Sequence, residues 1–322
     1  MNERTGDAPS LSHEPYYEQP APAIRPTSRP NSARRAGIAL IVVGLLWLLA
    51  MLPGLGIGFW GGTTTLLKQT YPANVLVMNV GSANVEVRSW SETGIHVEAT
   101  QRGVSRDEVD VNRSGNTLQI SDNQAGWFNW FGARDVQYTV LVPATAQVQV
   151  ETTSGDIDVS GVEGRTGEDS SVVLRSVSGD ITASGMAHGL TASTTNGDLQ
   201  VNSVSGALAL ESTNGDVSIS NADAAQLTAN ITNSSFVFDG SLAPGSQNQI
   251  EAVNGDIELR LPSDGGFRVR ATTVRGDINL DNDFEAQRSQ DSRTTLDATV
   301  GDGATTLNIQ TVNGDIEIQQ QE

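Results

Sequence analysis

Carboxylates offer the most chemistry in this sequence, and seven aspartates recur in one setting. They stand in Ser154-Gly155-Asp156-Ile157, Ser178-Gly179-Asp180-Ile181, Asn196-Gly197-Asp198-Leu199, Asn214-Gly215-Asp216-Val217, Asn254-Gly255-Asp256-Ile257, Arg275-Gly276-Asp277-Ile278 and Asn313-Gly314-Asp315-Ile316. A carboxylate pair hydrolyses a glycosidic bond when its members lie roughly 5–10 Å apart in a cleft, one of them desolvated enough to keep its proton. A row of carboxylates could instead coordinate cations. A catalytic group is needed once, however, and these residues recur with every copy of the unit, as a structural residue does. The Gly-Gly-x-Gly-x-Asp repeat of calcium-binding β-rolls is absent.

Other reactive types are sparse. His13, His96 and His188 are isolated in sequence, and no Gly-x-Ser-x-Gly elbow, His-Glu-x-x-His pair or Walker A loop accompanies them. Without cysteine there is no disulfide, thiolate zinc site or thiol nucleophile. A pI near 4.4 excludes nucleic acid as a partner, because phosphate binding needs clustered Lys and Arg. No catalytic, cofactor-binding or metal-binding residue is assigned, and the chain is expected not to be an enzyme.

The elements that carry the aspartates are strands. After each turn apolar and polar residues alternate, as in Ile157-Asp158-Val159, Ile257-Glu258-Leu259-Arg260-Leu261 and Ile316-Glu317-Ile318, which is the period of a strand with one buried face. Gly supplies a positive φ, and the flanking Asn, Ser and Asp favour local turn hydrogen bonds. The turn glycines are 24, 18, 18, 40, 21 and 38 residues apart. Thr232-Asn233-Ser234-Ser235-Phe236-Val237-Phe238 is a degenerate copy that divides the interval of 40, and the interval of 38 reads as two turns of 19. A repeat near 20 residues predicts an all-β, single-stranded β-helix (solenoid), with Gly189 and Gly206 at intermediate corners. An antiparallel sandwich or meander with Asn-Gly hairpins is the alternative. About twelve coils at ~4.8 Å would give a rod of roughly 60 Å. Residues 71–150 carry the pattern loosely and include Trp127-Phe128-Asn129-Trp130-Phe131, read as a cap over the first coil or as a contact patch for glycan or membrane.

Ahead of the repeat lie three further segments. Residues 1–36 hold six of the eleven prolines and no apolar period, which predicts a disordered tail. Residues 37–60 carry no charge and would span about 36 Å as a helix, enough to cross a bilayer. Five arginines precede this segment, Arg34 and Arg35 directly, against Lys68 beyond it, so the tail is expected in the cytoplasm and the rest outside the cell. Residues 61–70 read as a linker and 71–322 as the extracytoplasmic repeat domain. Removing the tail's four acids and five arginines from 38 acidic and 19 basic residues leaves 34 and 14, a net of −20 outside.

The run from Val136 to Pro143, then Val148 to Val159, followed by recurring (Asn/Ser)-Gly-Asp-Ile units, resembles the bacterial putative-adhesin family of β-strand-repeat proteins, a domain of unknown function. The resemblance spans roughly residues 74–318 and implies a right-handed β-helix in the cell envelope, often tethered by a transmembrane helix; it implies no catalytic residues. The stretch from Gly37 to Leu49 is similar to membrane segments of envelope-stress regulators, which usually have several such helices where this chain has one. The expectation is a single-pass cell-membrane protein whose repeat domain binds an extracytoplasmic protein or glycan in adhesion. An envelope-stress sensor and a carbohydrate-active β-helix enzyme are the alternatives.

Overall fold

A computed structural model of the protein describes residues 63–102, 109–122, 135–165 and 171–321. The expected tail (1–36), membrane helix (37–60) and aromatic cluster (127–131) lie outside the described residues. Among the described residues, no helix is long and apolar enough to cross a membrane.

Every regular element described is a strand. The first six are β1 (Thr63–Tyr71), β2 (Val75–Trp90), β3 (Ile95–Arg102), β4 (Val109–Ser114), β5 (Thr117–Asp122) and β6 (Asp135–Pro143). The middle of the domain comprises β7 (Gln147–Ser154), β8 (Ile157–Ser160), β9 (Val172–Ser178), β10 (Ile181–Met186), β11 (Leu190–Asn196), β12 (Leu199–Asn214), β13 (Val217–Asn233), β14 (Phe236–Leu242), β15 (Gln247–Asn254) and β16 (Ile257–Leu261). The last six are β17 (Phe267–Arg275), β18 (Ile278–Leu280), β19 (Ala286–Ser292), β20 (Thr295–Val300), β21 (Thr305–Asn313) and β22 (Ile316–Gln320).

Equivalent residues of successive repeats pair in parallel. Ile157, Ile181, Leu199, Val217, Phe236 and Ile257 form one continuous register, each one coil above the last. Hairpins would have paired these strands antiparallel, so the meander is excluded from this part of the chain. The degenerate copy at Ser234 keeps its place in the stack although it lacks the glycine.

The coil formed by β13 has three inward-facing runs. In β13 the buried residues are Val217 and Ile219, then Ala222 and Ala224, then Leu227, Ala229 and Ile231. They step by two along a side and by three across a corner, because alternation must slip where the chain turns if the same face is to stay inside. Asn221 (φ 52°) and its neighbour one coil away, Ser203 (φ 54°), take the left-handed conformation at one such corner. The core is a set of columns of Ile, Val, Leu and Phe, with Phe236 and Phe238 fully buried where the degenerate copy contributes. Burying one such side chain contributes about 1.5–3 kcal/mol. A single coil can bury its apolar row only against the next, so stability is shared among neighbours.

Chain order and stacking order differ at both ends. β2, the first coil, lies between β5 and β6 on one side and β7 and β8 on the other. β21 and β22, the last coil, lie between β15 and β16 on one side and β17 and β18 on the other. The interval of 38 is therefore not two turns of 19. It contains the antiparallel pair β19–β20, and the chain then returns to insert its last coil one place inward. The ladders comprise ten coils, not twelve, which at ~4.8 Å each stack to about 45 Å.

Antiparallel strands lie against both ends of the stack. β3 pairs with β6, β1 with β3 and β4 with β5 at one end; β20 pairs with β17 and β19 with β20 at the other. β1 occupies most of the expected linker (61–70), since Leu66, Leu67 and Tyr71 pack against the core and the strand is laddered to β3.

Candidate functional site

The seven Gly-Asp turns lie above one another, and each residue of the unit has its own role in that column. The turn glycines have φ between 134° and 155°, a conformation L side chains rarely adopt. Space excludes a side chain as well. A Cβ on Gly179 would sit 2.2 Å from the Gly155 carbonyl oxygen, one on Gly215 2.1 Å from that of Gly197, and one on Gly276 2.1 Å from that of Gly314.

The aspartates bind the neighbouring coil. Oδ1 of Asp156 accepts the Asp180 amide N–H (3.0 Å), Asp180 that of Asp198 (2.8 Å), Asp198 that of Asp216 (2.9 Å) and Asp216 that of Ser235 (3.0 Å). Past the degenerate copy, Asp256 accepts from Asp315 (2.9 Å) and Asp315 from Asp277 (2.8 Å). Asn84 takes the same place in the first coil, its Oδ1 accepting from Asp156 (3.0 Å). The preceding asparagines form a second ladder: Nδ2 of Asn214, Asn233, Asn254 and Asn313 donates to Oδ1 of Asn196, Asn214, Asn233 and Asn254 at 2.7–3.0 Å. Ser212 Oγ donates within its own turn to the Gly215 carbonyl (2.9 Å), and Thr273 Oγ1 donates to the Gly314 carbonyl of the adjoining coil (3.1 Å).

This column is built to hold coils together. Like charges one coil apart repel by about 1 kcal/mol in water, and the charge-assisted bond each carboxylate accepts offsets that. Substituting Asp198 by Asn should therefore leave stability within about 0.5 kcal/mol, because the acceptor stays and a repulsion is removed. Asp198→Ala should cost about 1 kcal/mol in urea denaturation, since the Asp216 N–H loses its partner. Equal losses in the two variants would show that the charge, and not the acceptor, is what the column needs.

The end of the aspartate row is closed by an arginine. Arg293, between β19 and β20, pairs through Nε and Nη2 with the two carboxylate oxygens of Asp277, the second at 3.0 Å. The Arg293 carbonyl accepts the Ile278 N–H (2.9 Å), so the hairpin tip covers the last turn. The hydrogen-bonded guanidinium holds the Asp277 carboxyl below its ordinary value. A depressed carboxyl favours the fold above its unfolded pKa, and the contribution disappears as pH falls through the folded value. Arg293→Gln should raise the Asp277 midpoint toward the usual aspartate value of about 3.9 in a carboxyl NMR titration. An unmoved midpoint would refute the pairing.

Among the described residues, no group of three or more His, Asp or Glu is placed to hold a metal ion. His96 shares a hydrogen bond with Thr70 through Nδ1 (2.8 Å) and its ring lies 5.9 Å from that of Trp90, while His188 lies near Gly164 at another corner. The structure gathers the repeated aspartates into one column, as their periodicity predicts. The asparagine ladder and the Arg293 cap escape a reading of the sequence, although Asn before Gly in four of the seven units is the visible trace of the ladder.

The family model Toastrack DUF4097 matches residues 73–319, essentially the ten-coil stack. The chain belongs to the Toastrack DUF4097 family. No curated protein matches it. Solved structures similar to this Toastrack chain include a putative cell adhesion protein from Clostridium sporogenes (11% identity, 80% of this chain and 100% of that one, TM-score 0.27). A putative adhesin from Bacteroides fragilis is also similar (11%, 80% and 97%, TM-score 0.32). So is a putative lipid binding protein from Parabacteroides distasonis (10%, 82% and 98%, TM-score 0.27).

Proposed function

We propose that this protein is a membrane-anchored, extracytoplasmic β-solenoid of the right-handed kind, acting as a non-catalytic interaction surface in adhesion. The observation that carries this reading is the use of the aspartates. Six of the seven repeated carboxylates accept a backbone N–H of the next coil and the seventh, Asp277, is held by Arg293, as structural residues are, while the outward strand faces offer a regular surface to a protein or glycan ligand. Anchoring and topology rest on the uncharged stretch 37–60 and the arginines before it.

The test is saturable binding of the full-length chain, held in nanodiscs, to cell-wall polymers, host matrix proteins and intact cells. Binding to none of them would overturn adhesion. The similarity of residues 37–49 to envelope-stress regulators favours a second reading, a sensor. Deleting residues 1–33 should then alter transcription under cell-wall stress, and an unchanged profile would remove that reading. Product release from polysaccharides would instead point to an enzyme.

A further inference from the structure

Among the described residues, the exposed large hydrophobic side chains are Val177, Val253, Val274 and Val312, 42–69% exposed. All four stand at one place in the repeat, immediately before the residue that precedes the turn glycine. Thr153, Thr195, Thr213 and Thr232 occupy that place in other coils. Threonine meets the strand preference for a β-branched residue while keeping a hydroxyl toward water. Valine there turns an apolar side chain outward.

Three of these valines form one ridge, and the inverted coil order creates it. Val312 lies between Val253 and Val274, because the residues flanking it pair with those flanking Val253 on one side and Val274 on the other. Along the ridge runs a groove whose lining includes Glu211, Asn230, Glu251 and Gln310. Glu151, in the same column of strand positions, is held by Arg175 at 3.0 Å. Among the described residues no cation is paired with Glu211 or Glu251; Glu251 accepts only from Gln249 Nε2 (2.7 Å).

We propose that this groove binds an extended segment of another protein in which Lys or Arg alternates with apolar side chains. The apolar residues would cover the valine ridge while the cations meet Glu211 and Glu251. Charge complementarity selects this occupant. An anionic lipid surface would be repelled by those carboxylates, and no Lys or Arg lines the groove to offset them. A second copy would oppose the same carboxylates on a domain of net charge −20. No aromatic side chain lines the groove to stack on a sugar.

This inference rests on the interaction-surface reading and names the partner class for one face. The test uses the full-length chain in nanodiscs of neutral lipid and a labelled peptide in which Lys alternates with Val, compared with Glu–Val and Lys–Ser counterparts. The Lys–Val peptide should bind at least about tenfold tighter than either, and lose affinity as salt rises. Combined Val253→Thr, Val274→Thr and Val312→Thr substitution keeps strand preference and should weaken binding about tenfold. Glu211→Gln with Glu251→Gln should flatten the salt dependence. Equal binding of either counterpart peptide, or unchanged affinity in the triple variant, overturns the proposal. Absence of any preference for the Lys–Val peptide, alongside saturable binding to cell-wall material, would sink this groove and leave the broader reading standing.

Discussion

Replacing Gly197 with alanine should destabilise the domain by about 3–5 kcal/mol, a large part of the roughly 5–15 kcal/mol that holds a typical domain folded. Two costs act together. At φ +147° an L residue is strained, and the new Cβ would lie 2.2 Å from the Gly179 carbonyl oxygen, a backbone atom with nowhere to go. Relief would require the coils to separate where Gly179 N–H is bonded to Asn196 O (2.9 Å) and Ile181 N–H to Asp198 O (2.9 Å). Gly115 provides the control: its φ is +60° and a Cβ there meets nothing within 4 Å. Gly115→Ala should cost only about 1 kcal/mol, the ordinary penalty for a left-handed residue. Urea denaturation of both variants decides the matter; equal losses would mean that strain alone, not close approach, makes glycine necessary in the column.

Ending the chain after Gly303 should do more damage than removing one end coil. In a plain solenoid the last coil leaves and the rest stays stacked, because each coil touches only its neighbours. Here the deletion takes β21 and β22 from the interior of the ladders, with the buried Leu307, Ile309, Ile316 and Ile318. β17 and β18 are still present but lose the coil they stack on. Amide exchange should therefore accelerate by orders of magnitude across residues 267–300 although none of them is deleted. Retained protection there would mean that β17 and β18 had docked directly on β15 and β16, and that the inserted order is dispensable.

The stacked turns and the inward alternation were legible because both come from local chemistry. Gly at positive φ, Asp after it and apolar residues at every second position mark each coil independently of the others. Stacking order was not legible, because an Ile after a Gly-Asp turn fits equally well above any equivalent Ile. Ile316 pairs with Ile257 and with Ile278, and no residue type distinguishes those neighbours from the ones chain order suggests. The hairpin that makes the reversal possible left a weak signal. β19 reads Ala-Gln-Arg-Ser-Gln-Asp-Ser, polar throughout after its first residue, and lies almost wholly exposed. At the other end, Asn84 replaces aspartate and the glycine of the unit is missing, so the first coil carries the ladder without the motif that announces it. The valine ridge was hidden for the same reason as the order itself: its members are 21 and 38 residues apart in the chain, and only the stacking makes them neighbours.

The inserted last coil also sets how the domain would bear a pull. An outermost strand is held along one edge and can peel away one hydrogen bond at a time. β22 is gripped along both edges, by β16 and by β18, and β21 by β15 and β17. Tension applied at the C-terminus would have to break two rows of bonds together before the chain could pay out. β2 is gripped in the same two-sided way, but the chain reaches it through β1, which is held along one edge only, by β3. Tension along the chain would therefore first peel β1 from β3, its single partner, and only then meet two coils that are clamped along both edges.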